Sequence, residues 1–360
     1  MNSAAGKKVF VGMSGGVDSS VAAALLKESG YDVTGVFIKV WDAPWLPCDW
    51  REERRSAMRV AATLGIPFRT LDLEQEYKKG VVDYMIAEYA AGRIPNPDVF
   101  CNKVVKFGGF FNYAKAEGAD LIAMGHYARA EVRKGSTRLL TAVDTAKEQS
   151  YFLWNMNKEA LQHTLFPIGD LPKAEVRKLA EKFNLPNANK KDSQGICFLG
   201  PVSIVEFLKH YVDTKRGDVL DEEGKVIGSH EGALFYTIGQ RHGFTVNEKT
   251  SSSRALYVIK KEMDANTITV GPRTDGKTSA LANGCVLSDL NFLAPKEEWG
   301  DGVLVIRYHG ERIPITSMEF TEVGLKCVFA HPVADVAPGQ SGVYYRGDEC
   351  LGGGIIRAII

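Results

Sequence analysis

Between residues 8 and 125 short apolar runs alternate with longer amphipathic ones. Lys8–Met13, Val33–Val40, Phe68–Leu73 and Leu121–Gly125 are short and apolar, the pattern of buried strands. Ser19–Ser29, Arg51–Leu64, Tyr77–Tyr89 and Val104–Glu117 have helical periodicity. Strands alternating with helices predict a doubly wound parallel sheet, an α/β fold with helices on both faces. Farther on, Pro172–Phe183 and Val202–Tyr211 read as helices on either side of a polar loop, Pro186–Gly200. From about residue 216 glycines and short β-branched runs take over. Ala255–Lys260 and Thr267–Val270 read as a hairpin. Val303–Tyr308, Ile313–Phe320, Leu325–Phe329 and Gly342–Arg346 follow at the spacing of a small barrel. The expected division is 1–212, an α/β domain; 213–278, a small central domain; and 279–360, a C-terminal β-barrel.

Composition adds limits. The 360 residues are 45% hydrophobic and 24% charged, values of an ordinary globular protein with room for two or three cores. No apolar run approaches the ~20 residues of a membrane span, and the first residues lack the pattern of a signal peptide. A cytoplasmic protein with no membrane partner is expected, and a monomer. Net charge is zero, so any nucleic-acid partner is held by local patches such as Arg51, Arg54, Arg55 and Arg59, Lys103 and Lys106, or Lys190 and Lys191. Six cysteines, at 48, 101, 197, 285, 327 and 350, form no C-x-x-C pair, which argues against structural zinc.

The stretch GMSGGVDSS, residues 12–20, stands where the first strand hands over to a helix. Glycines there either make a tight turn or let the backbone approach an anion at the helix N-terminus. It is neither a Walker loop nor a dinucleotide fingerprint, lacking both spacings. The string SGGVDSS resembles the PP-loop of the N-type ATP pyrophosphatases, which adenylate a carbonyl oxygen and release pyrophosphate. That resemblance implies ATP binding by Gly12, Met13, Ser14, Gly15, Gly16, Val17, Asp18 and Ser19. It also implies a Mg2+ contact from Asp18, adenosine near Gly125, and adenine against Ile38.

Two cysteines sit in loop-like settings. PNPDVFCN, residues 95–102, holds Asp98 and Cys101 between two prolines and the Val104 helix, with helix expected to begin only after the cysteine. KDSQGICFLG, Lys191–Gly200, places Cys197 after a polar stretch with Lys190 and Lys191 upstream. A helix N-terminus or a nearby cation favours thiolate; an ordinary buried thiol is the alternative for each.

SGGVDSS, PNPDVFCN, GHYAR, KEQSYFL, DSQGICF, TIGQRHG, PGQSGVYY and LGGGII are all present, and the last closes the chain. Across essentially its full length the chain resembles the bacterial tRNA-specific 2-thiouridylases, with Ile38 where methionine is usual. The resemblance implies 2-thiolation of the wobble uridine by adenylation of its C2 oxygen and transfer of sulfur from a cysteine persulfide. It makes Cys197 the persulfide carrier, Cys101 the nucleophile that releases sulfur and leaves a Cys101–Cys197 disulfide, and Asp98 an acid/base group. It implies tRNA contacts from Asn96, Pro97, Asp98, His126, Lys147, Glu148, Gln149, Arg307, Tyr308 and Gln340. Implied partners are the lysine, glutamate and glutamine tRNAs and a persulfide donor, either a cysteine desulfurase or a sulfur-relay protein. Arg307 and Tyr308 also suit single-stranded RNA on their own chemistry, a cation beside a stacking ring. His126 reads equally as a satisfied strand-end histidine, and Gln240–His242 as a surface turn. Rival readings are an amide-forming PP-loop enzyme, a 4-thiouridine synthase and a non-catalytic tRNA-binding or sulfur-carrier protein.

Overall fold

The computed structural model describes residues 6–43, 45, 50–192, 204–212, 214–247, 255–272 and 281–360. The first strands are β1 (Lys8–Gly12), β2 (Asp32–Lys39), β3 (Phe68–Asp72) and β4 (Leu121–Ala123). A hairpin follows, β5 (Ala128–Arg133) with β6 (Ser136–Thr141), then the short β7 (Thr164–Leu165). Strands order as β3-β2-β1-β4-β7, all pairings parallel.

Alternation along the strands explains why both faces are covered. In β1, Val9 and Val11 face a core shared with α1 (Val17–Glu28), α2 (Trp50–Leu64) and the Lys173–Lys182 helix. Phe10 points the other way, into a core with Tyr77, Val81, Val105, Phe107 and Phe110. α1 is apolar on most sides because it is packed against α2 and the Lys173–Lys182 helix as well as the sheet.

One sequence expectation is corrected at Pro97. Helix begins at Pro97, not after Cys101, and runs through Pro97–Phe100 into a wider π-helical stretch, Cys101–Phe110, and on to Ala116. Proline at the first helical position loses nothing, since its missing N–H would have no helical partner there, and its φ is preset. Asn96 caps this start, its side chain accepting from Val99 N. Cys101 therefore lies within the helix, fully buried, not in a loop.

The central strands are β8 (Gly217–Leu220), β9 (Val226–His230), β10 (Thr245–Val246), β11 (Leu256–Glu262) and β12 (Thr267–Pro272), ordered β10-β9-β8-β12-β11. The expected hairpin is β11–β12. The C-terminal strands are β13 (Ala282–Phe292), β14 (Val303–Val305), β15 (Ile313–Thr321), β16 (Gly324–Val333), β17 (Ser341–Arg346) and β18 (Glu349–Ile359). They run β13-β16-β15-β14-β17-β18, and β18 pairs back onto β13, closing an antiparallel barrel.

The β5–β6 hairpin belongs to the first domain by sequence and to the barrel by hydrogen bonding. Leu139 and Leu140 of β6 pair with Cys350 and Glu349 of β18. Charge reinforces the join. Arg138, 3% exposed, lies 2.6 Å from Glu298 and 3.3 Å from Glu349. Arg129 and Arg133 both reach Asp348. Removing one member of a buried ion pair leaves its partner's charge uncompensated. Arg138→Met is expected to destabilise the protein by about 3–5 kcal/mol, read from its urea midpoint; a loss below about 1 kcal/mol would mean the pair is effectively solvated.

Candidate active site

The turn from β1 to α1 is built for close backbone approach. Gly15 has φ +79, and a Cβ there would lie 2.4 Å from the Glu53 carbonyl oxygen. Ser14 N–H and Gly16 N–H donate to the hydroxyls of Ser19 and Ser14, at 3.2 and 3.3 Å. Gly125, just past β4, abuts the same turn: a Cβ on it would lie 2.6 Å from Ser19 N. Gly12 is similarly crowded by the Met124 sulfur, at 2.5 Å. Met13 and Val17 are buried beneath the turn. Ile38 is also buried, 5% exposed, in the core with Phe10 and Val36.

Asp18, in the first turn of α1, is the centre of a charged cluster. Lys173 Nζ donates to both its oxygens, at 2.7 and 2.9 Å, and the Tyr127 hydroxyl donates at 3.1 Å. Burial, then the Asp18 charge, pushes the Tyr127 phenol far above its usual range, so it remains a donor. Lys173 also lies 2.9 Å from Asp192, the acid that opens the DSQGICF motif. Lys147 and Arg177 hold the same carboxylate at 2.9 and 2.6 Å. Burial would raise the Asp192 pKa, but hydrogen bonds from Lys173 and Lys147 outweigh it and bring it to about 2. Lys147 thus lies on the phosphate-loop side. Tyr127, Lys173 and Asp192 were missed by sequence reasoning, because their partners stand far away in the chain.

A second cluster forms where the first domain meets the barrel. Tyr151 donates through its hydroxyl to Ser341 O at 3.0 Å, and its side chain also bonds Asn96. Tyr308 is 37% exposed and packs at 4.5 Å from the Phe152 ring and 3.9 Å from His309. Arg307, two residues past β14, pairs with Asp335 at 3.2 Å. Gln340 donates to Ile94 O at 2.8 Å, and Ile94 N–H returns a bond to Pro338 O. Gln340 therefore fastens the barrel to the chain just ahead of Asn96, Pro97 and Asp98. Pro97 and Asp98 are half-buried in the first turn of the helix. Glu148 is largely buried, which raises its pKa, and it faces Arg312 and His309.

His126 lies between the two clusters. Its Nε2 is 3.2 Å from Lys106 Nζ and must accept, since the ammonium only donates. The ring proton is therefore on Nδ1, which is buried and has no hydrogen-bond partner among the described residues. Burial, then the Lys106 charge, holds the His126 pKa well below 6.5 and the ring neutral. Gln149 braces the same loop, accepting from Tyr127 N–H at 3.0 Å while its own N–H donates to Tyr127 O. Asn102, next to Cys101, donates to Phe152 O at 3.1 Å. Cys48 and Cys197 lie outside the described residues. Among the described residues no group of three or more side chains gathers to ligate a metal, and no helix is long and apolar enough to cross a membrane.

This is a tight glycine turn with a charged cluster beside it on a doubly wound sheet, joined through a polar seam to a β-barrel. Three family profiles match in tandem: a tRNA methyl transferase HUP domain over residues 7–201, a tRNA methyl transferase PRC-barrel domain over 205–272, and an aminomethyltransferase beta-barrel domain over 282–356. Relatives match end to end. A tRNA-specific 2-thiouridylase MnmA of Shewanella sp. (strain MR-7) is 43% identical over 99% of this chain and 97% of its own. Those of Proteus mirabilis (strain HI4320) and Enterococcus faecalis (strain ATCC 700802 / V583) are 42% and 41% identical, covering 98% and 97% of this chain and 98% and 95% of theirs. The chain belongs to the tRNA-specific 2-thiouridylase MnmA family.

Two outcomes are expected from this geometry. Gly125→Ala drives a methyl into the Asp18–Ser19 backbone and should weaken ATP affinity about tenfold or more, measured by equilibrium dialysis; unchanged affinity would show that the turn can yield. Because the His126 pKa is lowered by folding, the unfolded chain takes up the extra proton first as pH falls below about 6.5. Stability attributable to this residue is thus complete above that pH and lost below it. In His126→Gln the decline in unfolding free energy from pH 6.5 to 5 should be shallower; an identical slope would refute the assignment.

Proposed function

We propose that this protein is an ATP-dependent tRNA-uridine 2-sulfurtransferase acting on the wobble uridine. Identity of 42–43% to thiouridylases over nearly the whole chain carries this reading, and the glycine turn after β1 and the aromatic edge at Phe152 and Tyr308 support it. The C2 oxygen of a uracil is a poor leaving group until it is adenylated. The C2 oxygen attacks the α-phosphorus of ATP bound at Gly12–Ser19, the α–β phosphoanhydride bond breaks and pyrophosphate leaves, with Gly125 keeping the strand end tight against the loop. Asp18 would hold Mg2+; one carboxylate plus substrate phosphates suits that ion. Lys173 occupies both Asp18 oxygens, so metal and lysine compete there.

Sulfur arrives as a persulfide on Cys197, from a cysteine desulfurase or a sulfur-relay protein. The Cys101 thiolate attacks the Cys197 sulfur and the S–S bond of the persulfide breaks. The terminal sulfur goes to C2, AMP leaves, and a Cys101–Cys197 disulfide remains for an external thiol to reduce. Cys101 is buried at 0% exposure, so the exchange requires local opening around the Asn96 turn. Asp98, on the first turn of that helix, is the acid/base group.

The wobble base must leave its stack, at a cost of a few kcal/mol. Tyr308 with Phe152 offers a stacking face, and Arg307 a cation for the backbone. Asn96, Pro97, Asp98, Glu148, Gln149 and Gln340 line or brace the same seam, with lysine, glutamate and glutamine tRNAs as substrates. Any contact from His126 would use Nδ1, since Lys106 occupies Nε2. The α/β domain, 1–212, performs the chemistry; the central domain is 213–278, and the barrel, 279–360, grips the tRNA. The enzyme works as a cytoplasmic monomer.

The test is reconstitution with ATP, Mg2+, a cysteine desulfurase with cysteine as persulfide donor, a thiol reductant and unmodified lysine tRNA, followed by nucleoside mass spectrometry. We expect 2-thiouridine only with ATP, no product from Cys197→Ser although it still binds tRNA, and no pyrophosphate from Asp18→Ala. Thiolation by Cys197→Ser would remove its role; failure of tRNA to stimulate pyrophosphate release from the folded wild type would remove the adenylation step.

A further inference from the structure

The peptide between Gly15 and Gly16 is the most heavily anchored in the phosphate loop, and its anchors come from elsewhere in the chain. Three donors converge on the Gly15 carbonyl: Ser56 Oγ at 3.0 Å, Asn187 Nδ2 at 3.0 Å and Lys190 Nζ at 3.3 Å. Asn187 also donates to Ser20 Oγ at 2.9 Å, and Ser20 passes a bond to Gly16 O at 2.8 Å. Lys190 is itself fixed by Glu53 at 2.5 Å. Asn187 is 6% exposed, and its Oδ1 has no hydrogen-bond partner among the described residues. An unsatisfied buried oxygen is costly, so the amide is kept there for its donors.

A trans peptide points its C=O and N–H in opposite directions. Holding the Gly15 oxygen against Ser56, Asn187 and Lys190 therefore turns the Gly16 N–H away from them, where its one bond is the weak local one to Ser14 Oγ. Flanked by glycines, this peptide can rotate with little steric penalty. Rotated, it would put a carbonyl oxygen where a phosphate must lie.

We infer that Asn187, assisted by Ser56 and Lys190, is a positioning residue that locks the Gly15–Gly16 peptide with its N–H toward the triphosphate. This rests on the loop binding ATP, as proposed above. The inference sets an unusual order of variants. Asn187→Leu removes the donors. Asn187→Asp keeps the shape, removes the same donors, brings a second oxygen to face the Gly15 carbonyl, and draws Lys190 to itself.

The experiment measures ATP dissociation constants by equilibrium dialysis, tRNA dissociation constants by filter binding, and thermal midpoints, for wild type, Asn187→Leu, Asn187→Asp and Ser56→Ala. Asn187→Leu is expected to weaken ATP about tenfold to a hundredfold, and Asn187→Asp to weaken it further, with tRNA affinity within about twofold of wild type. In turnover the defect should sit in KM for ATP, and saturating ATP should recover most of kcat. A role in packing alone would reverse the order, since Asp preserves shape and Leu does not. Ser56→Ala, made on a partly exposed helix position, should give a smaller loss of the same kind even if the Asn187 variants fail to fold. Folded variants that bind ATP like the wild type, or that lose tRNA and ATP affinity in parallel, would overturn the inference. A folded wild type that binds no ATP would overturn the ATP reading beneath it as well.

Discussion

The stretch Lys147–Phe152 decides how the two working surfaces face each other. Successive residues bond different parts of the molecule. Lys147 reaches Asp192, beside the phosphate loop. Gln149 exchanges bonds with Tyr127, whose hydroxyl holds Asp18. Ser150 meets Tyr345 of the barrel at 3.0 Å, and Tyr151 donates to Ser341. Phe152 accepts from Asn102 at its carbonyl, and its ring packs at a tilt against Tyr308. The bonds of Ser150 and Tyr151 are buried, so breaking either strands a polar group. The segment therefore ties the β1–α1 turn to the barrel edge in a geometry that neither domain could set alone.

Electrostatics complements this geometry. The chain has no net charge, yet it gathers cations about one spot. Lys173, Lys147 and Arg177 surround Asp192, and Lys173 also holds Asp18. Each cation is partnered, so the site neither repels its own neighbours nor pays for unpaired buried charge. Asp192 also opens the DSQGICF motif, so the chain just ahead of that motif is tied to the β1–α1 turn and its Asp18 cluster at Asn187, Lys190 and Asp192.

Much of this was legible in one dimension. Apolar alternation in β1, β2 and β3 and the amphipathic runs between them specify a parallel sheet, because period and burial are local properties. GMSGGVDSS announces its turn because only glycine tolerates positive φ and a carbonyl 2.4 Å from its missing Cβ. Where sequence reasoning went astray, a local rule had two outcomes. Proline before Cys101 could delay a helix or start one; Asn96 capping at Val99 N selected the second.

What the sequence by itself determined is therefore the alternation of β1–β4 with helices, the glycine turn after β1 and the residue types present, since each depends on neighbours a few positions apart. Tertiary structure alone decided the partnerships. Asp18 meets Lys173 across 155 positions, Gly15 meets Asn187 across 172, and Tyr151 meets Ser341 across 190. The β5–β6 hairpin looks like part of the first domain until Leu140 pairs with Glu349. Such contacts follow from how the whole chain satisfies its buried polar groups at once, and no window along it contains both partners.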